Sequence, residues 1–139
     1  MNSMRTIRVL ILEDDLETLS LLLKKLYLLE EKSADSGSPV EFSTVTLSEY
    51  TQVEELINKS RDLDFNIILL DRDCKAGGSF HVLDVKRFGP DKIISISSVP
   101  EYNEDARKRG IKRIVWKDYR NLESFSNQVI EEIKSLIKS

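Results

Sequence analysis

Glu13, Asp14 and Asp15, then Asp71 and Asp73, then Ser97 and Ser98, and finally Lys117 are the residues of this chain whose types suit chemistry. Each group follows closely on an apolar run, as in RVLILEDD, NIILLDRD, KIISISS and KRIVWK. Any one of them alone reads as the start of a loop or a helix cap. Acids, a hydroxyl and a lysine drawn from four separate runs read as a set. Carboxylates that gather repel one another and raise each other's pKa values. A hard divalent cation, Mg2+ or Mn2+, relieves that repulsion, because all-oxygen ligation suits these ions. A carboxylate beside such an ion can attack a phosphoryl group and become an aspartyl phosphate. The transfer then needs charge stabilisation at the equatorial oxygens from metal, lysine and hydroxyl donors. Glu13 and Asp14, Asp71, Ser97 and Lys117 supply those parts, with Asp71 as the acceptor.

These residues need a scaffold that brings the ends of the runs together. The runs IRVLIL (7–12), VEFSTVTL (40–47), FNIILLD (65–71), KIISISS (92–98) and IKRIVW (111–116) are short and β-branched, so they are expected to be strands. Between and after them lie segments of helical character at 16–32, 48–61, 79–89, 100–109 and 121–138. Ser48 is a candidate N-cap for the second of these, and Gly89 and Gly110 are expected to close the third and fourth. Strict alternation of strand and helix implies an α/β fold with a parallel sheet covered on both faces. Strands buried on both faces are apolar throughout, which accounts for the unbroken runs at 7–12 and 67–70. Ligands of such sheets bind beyond the carboxyl ends of the strands, where the candidate residues stand.

The chain has 139 residues, 40% of them hydrophobic, enough for a single domain with its core over about 6–138. Its net charge of -3 lacks the basic footprint of nucleic-acid binding. The basic cluster ARKRGIKR (106–113) reads as a solvated surface. One cysteine, Cys74, excludes an internal disulfide framework and fits a reducing compartment. No apolar stretch is long enough to span a bilayer, and a cytoplasmic location without membrane association is expected. His81 and Cys74 are expected to be ordinary side chains.

The ordered motifs VLILEDD, IILLDRD, IISISS and GIKRIVWK resemble the receiver domain of two-component response regulators, over nearly the whole chain. The resemblance implies a doubly wound (βα)5 sandwich with its five parallel strands in the flavodoxin-like order 2-1-3-4-5, as a single, stand-alone, chemotaxis-regulator-like unit. It implies that Asp71 accepts a phosphoryl group from a sensor histidine kinase or a histidine phosphotransfer protein, with Mg2+ or Mn2+ required. Glu13 and Asp14 would form the acidic pair, Asp14 being the direct ligand, and the backbone carbonyl of Asp73 would complete the metal shell. Ser97 and Lys117 would each hold a phosphoryl oxygen. Phosphorylation would then switch a protein-docking face that includes Glu101, Tyr102, Lys112 and Arg113. The implied chain is a signalling domain, not an enzyme beyond slow loss of its own phosphate.

The chain also departs from the family pattern. Lys75 stands where proline is usual, and Ser79 where glycine is usual. Asp118 follows the lysine in place of a proline, so a trans bond is expected there. Ile114 holds the place of the switch aromatic, while Trp116 directly precedes the lysine, and Ser98 is a small residue that leaves phosphate access open. Two alternatives stay open. One is a degenerate receiver-like binding module that phosphorylation does not regulate. The other starts from LLDRD, which is similar to the Asp-x-Asp motif of haloacid-dehalogenase-like phosphatases, with Asp71 as nucleophile and Asp73 as acid/base.

Overall fold

The computed structural model describes residues 4–73 and 80–138. The apolar runs form strands β1 (Arg5–Leu12), β2 (Val40–Leu47), β3 (Ile67–Asp71), β4 (Ile93–Ser97) and β5 (Arg113–Trp116). They pair in parallel in the order β2-β1-β3-β4-β5. Helices α1 (Leu16–Ser33), α2 (Tyr50–Gln52), α3 (Val85–Phe88), α4 (Pro100–Lys108) and α5 (Leu122–Lys138) connect and cover them. The two-residue period of a strand divides β1 between two cores. Val9 and Ile11 pack with Leu22 and Leu26 of α1 and Phe125, Val129 and Ile133 of α5. Leu10 and Leu12 pack with Phe80, Val85, Phe88 and Ala106 on the opposite face. Both faces of the inner strands are thus buried, as their continuous apolar runs imply.

Several elements differ from the sequence expectation, each for a local reason. The segment expected to be helical over 48–61 is capped by Glu49 rather than Ser48. The Glu49 and Gln52 side chains satisfy each other's backbone N–H groups. It ends earlier, in a π turn at Val53–Ile57, where the Asn58 N–H reaches Val53 O at 2.8 Å. The helix expected over 79–89 is instead a 3-10 turn at Phe80–Val82 and the short α3, whose Asp84 cap accepts from Arg87 N at 3.1 Å. The residue types of VEFSTVTL alternate along the run, but β2 does not alternate in burial: only Val40 is buried, and the strand lies at the edge of the sheet. Strand β3 starts at Ile67 because the Asn66 side chain, not a strand partner, accepts the Arg8 N–H at 2.8 Å. Gly89 (φ 96°) and Gly110 (φ 90°) close their helices as expected, in a backbone region that favours glycine. Among the described residues no helix is long and apolar enough to cross a membrane.

Arg87 acts as a clasp for the segment after the π turn. Its guanidinium donates to the carbonyls of Ile57 at 2.7 Å and Leu63 at 3.0 Å, and also to that of Ser60. Arg87→Ala removes the guanidinium from all three carbonyls, leaving Ile57 O and Ser60 O only backbone N–H donors at 3.4 Å, and is expected to lower the unfolding free energy by about 2 kcal/mol. Urea unfolding checks this, and an unchanged midpoint would show that water replaces the guanidinium without loss.

Candidate functional site

The sheet delivers the candidate residues by extending its hydrogen-bond ladder beyond the strand ends. Leu12 pairs with Leu70, so Glu13 and Asp71 emerge side by side. Glu13 N donates to Leu47 O at 3.2 Å, Arg72 N to Ile96 O at 2.9 Å and Lys117 N to Ser97 O at 3.1 Å. The backbone of each residue is therefore fixed by its neighbouring strand. The Lys117–Asp118 bond is trans, like the other described peptide bonds, and the lysine still reaches the acids.

The side chains converge as the motifs suggest. Lys117 Nζ lies 3.0 Å from Glu13 Oε1 and 2.9 Å from Asp71 Oδ2, and all three residues are buried. Glu13, Asp14 and Asp71 each bring a carboxylate oxygen within 4.8 Å of the others, the donor set a hard divalent cation takes. Asp71 Oδ1 also accepts the Asp73 N–H at 2.8 Å. Asp15, the third acid of the EDD motif, has a separate task. Its carboxylate accepts from Thr18 N at 3.0 Å and Thr18 Oγ1 at 2.6 Å, capping α1.

Electrostatics make this a cluster that holds a proton or a cation. Burial first, and the neighbouring Asp71 second, push the Glu13 carboxyl up to about 9. Burial likewise raises Asp71, against the opposing pull of Glu13 and Lys117. Burial acts to discharge Lys117, but the two facing carboxylates outweigh it and hold the ammonium charged.

Ser97 lies in the expected place with an unexpected partner. Its Oγ donates to Asp73 Oδ1 at 2.5 Å and accepts the Val99 N–H at 2.9 Å. Ser98 donates to Asp73 Oδ2 through its N–H at 2.8 Å and its hydroxyl at 2.7 Å. Tyr119 OH donates to the same oxygen at 3.1 Å. Burial pushes the Asp73 carboxyl up, yet the Ser97, Ser98 and Tyr119 hydrogen bonds together outweigh it and keep it below its ordinary value.

Two contributors escape sequence reasoning. Arg72 follows Asp71 directly, is buried, pairs with Asp105 of α4 at 3.1 Å and sits 5.1 Å from the Tyr102 ring centroid. Tyr119 stands over the site with its ring centroid 5.1 Å from Lys117 Nζ. Of the signals in the sequence, only the proximity of each residue to a motif residue points to it. Ile114 is half-buried against the α3–α4 side of the core, and Trp116 is half exposed. Glu101, Tyr102 and Lys112 are exposed and Arg113 is half-buried. His81 is exposed. The expectations placed on Cys74, Lys75 and Ser79 fall outside the described residues.

No family model matches the chain, and no curated protein matches it. Solved structures do. The Mn2+-bound form of response regulator Rcp1 matches with a TM-score of 0.66 at 16% identity, over 92% of this chain and 94% of that one. The BeF3-activated N-terminal receiver domain of Klebsiella pneumoniae RstA matches at 0.60 and 14% identity, over 95% and 99%. The bacteriophytochrome response regulator AtBRR matches at 0.58 and 18% identity, over 95% and 93%. At these identities the likeness is one of fold: the chain adopts the fold of response-regulator receiver domains, with the strand order 2-1-3-4-5.

Proposed function

We propose that the chain is a phosphorylation-dependent receiver in which Asp71 accepts a phosphoryl group from a sensor histidine kinase or a histidine phosphotransfer protein in the cytoplasm. The observation that carries this reading is the buried contact of Lys117 Nζ with both Glu13 and Asp71 beneath three clustered carboxylates. Glu13 and Asp14 would hold Mg2+ or Mn2+ together with Asp71 and the backbone carbonyl of Asp73. When bound, the ion supplies positive charge to the phosphoryl oxygens. An Asp71 carboxylate oxygen attacks phosphorus, a P–O bond forms, and the P–N bond to the donor imidazole breaks. The imidazole keeps the electron pair and takes up a proton. Lys117 is already within hydrogen-bond reach of Asp71 and would neutralise one phosphoryl oxygen, while Ser97 would donate to another.

The output would run through α4. Arg72 joins the residue next to the acceptor with Asp105 and Tyr102, so a change at Asp71 reaches the face that carries Glu101, Tyr102, Lys112 and Arg113. A protein target docking there, rather than nucleic acid, fits the mixed charge of the chain.

A second reading, a binding module indifferent to phosphorylation, draws support from the Asp73 contact that already occupies Ser97. The phosphatase reading fares worse. Asp73 is held ionised by its hydrogen bonds and has no proton to give a leaving group. Incubation with Mg2+ and acetyl phosphate separates the readings by intact mass. Wild-type protein is expected to gain one phosphoryl group, and Asp71→Asn and metal-free protein none. A label that survives in Asp71→Asn, or no label in wild type, rejects the receiver reading. Rapid turnover of an aryl phosphate would restore the phosphatase.

A further inference from the structure

The Ser97 hydroxyl has one proton to donate, and Asp73 receives it at 2.5 Å. The Ser98 amide and hydroxyl and the Tyr119 hydroxyl point at the same carboxylate. An anion two residues after Asp71 has thus collected hydroxyl and amide donors from β4, the turn after it and the segment after β5. A phosphoryl group on Asp71 is also an anion, and it needs the same Ser97 proton. The Asp73 backbone N–H is tied to Asp71 Oδ1 at 2.8 Å, so the rival carboxylate is anchored to the acceptor itself.

We propose that the Asp73 carboxylate is an internal competitor of the phosphoryl group, holding Ser97, Ser98 and Tyr119 until a phosphoryl group on Asp71 displaces it. This rests on the receiver reading and sharpens it: the turn after β4 is ordered around an anion before phosphorylation. Phosphorylation exchanges one anion for another and does not gather loose donors. Asp73 is a positioning residue in this scheme, since it acts through Ser97 and Ser98. The competition has two components, a contest for donors and a repulsion between neighbouring negative charges.

Beryllofluoride with Mg2+ serves as the probe, with the bound fraction counted by fluorine NMR. Asp73→Ala is expected to bind it about tenfold more tightly than wild type, the scale of one charge-assisted hydrogen bond. Asp73→Asn keeps an acceptor oxygen but loses the charge, and is expected to fall between them. Ser97→Ala is expected to matter little while Asp73 is present and to weaken binding about tenfold in the Asp73→Ala background. A purely structural role for Asp73 would not produce that dependence of one substitution on the other. Hydrogen exchange of the Ser98 amide, measured without the probe, is expected to accelerate in Asp73→Ala. Equal or weaker binding by both Asp73 variants overturns the competition. Absence of binding by wild type and variants alike overturns the receiver reading, and the competition falls with it.

Discussion

Lys117→Ala is expected to lower the unfolding free energy of the metal-free protein by about 3 kcal/mol near neutral pH, because removing one partner of a buried ion pair strands the other. Here it strands the buried carboxyl pair of Glu13 and Asp71, which already holds one proton near neutral pH. The loss is expected to depend on pH, and its sign follows from their raised folded-state pKa values. A carboxyl whose pKa is raised by folding contributes stability that is fully present below its unfolded value and is lost as pH rises through the folded one. For Glu13 in the wild type that window runs from 4.5 to about 9. Glu13 already keeps its proton up to about 9 in the wild type, so the steeper fall of the variant with pH comes from Asp71, which loses the Lys117 charge and hydrogen bond that hold its carboxyl down. Urea unfolding should therefore show a difference between wild type and variant that is large at about pH 8 and shrinks at about pH 5. A difference constant across that range would mean that the lysine acts by packing and not by charge.

The same cluster would couple metal binding to protons. Burial and the adjacent Asp71 give Glu13 a pKa of about 9, so near neutral pH the carboxylate cluster carries a proton that a divalent cation must displace. Mg2+ binding is expected to release about one proton and to strengthen by about tenfold per pH unit between roughly pH 6 and roughly pH 8. Lower pH favours the proton, and higher pH the metal. Calorimetry in buffers of different protonation enthalpy reads the released proton directly, and a heat of binding independent of the buffer would refute the coupling. Chelation at higher pH should also lower thermal stability, since the charges of the cluster then lose their counterion.

What the sequence makes legible is what burial imposes on residue type. IILLD reads as a strand because both its faces are covered, and Asp71 reads as a site residue because an acid at the edge of that run needs a reason. Glu13 and Lys117 follow from the same logic, and the structure brings both to Asp71. Partner choice is less legible, because tertiary geometry sets it. Asp15 looks equivalent to Asp14 along the chain but caps α1. Ser97 is expected to await a phosphoryl oxygen, and its hydroxyl instead meets Asp73, 24 residues away in sequence. The link from Arg72 to Asp105 spans 33 positions and leaves no periodic trace. Helix limits are obscured where side chains replace backbone partners, as Glu49 and Gln52 do at one end of the segment and Arg87 beyond the other.

The contact between Lys117 and Glu13 joins positions 104 residues apart. Contacts of such long separation incur their loop-closure entropy before they repay it, so they form late in folding. A ribosome making this chain releases Glu13 and Asp71 well before Lys117 exists. Until β5 docks against β4, the acids lack their ammonium. On the receiver function proposed above, a partly synthesised or partly folded chain would be a poor recipient of a phosphoryl group. Competence to receive that signal would arrive together with the last strand, with the sheet's own closure as the quality check.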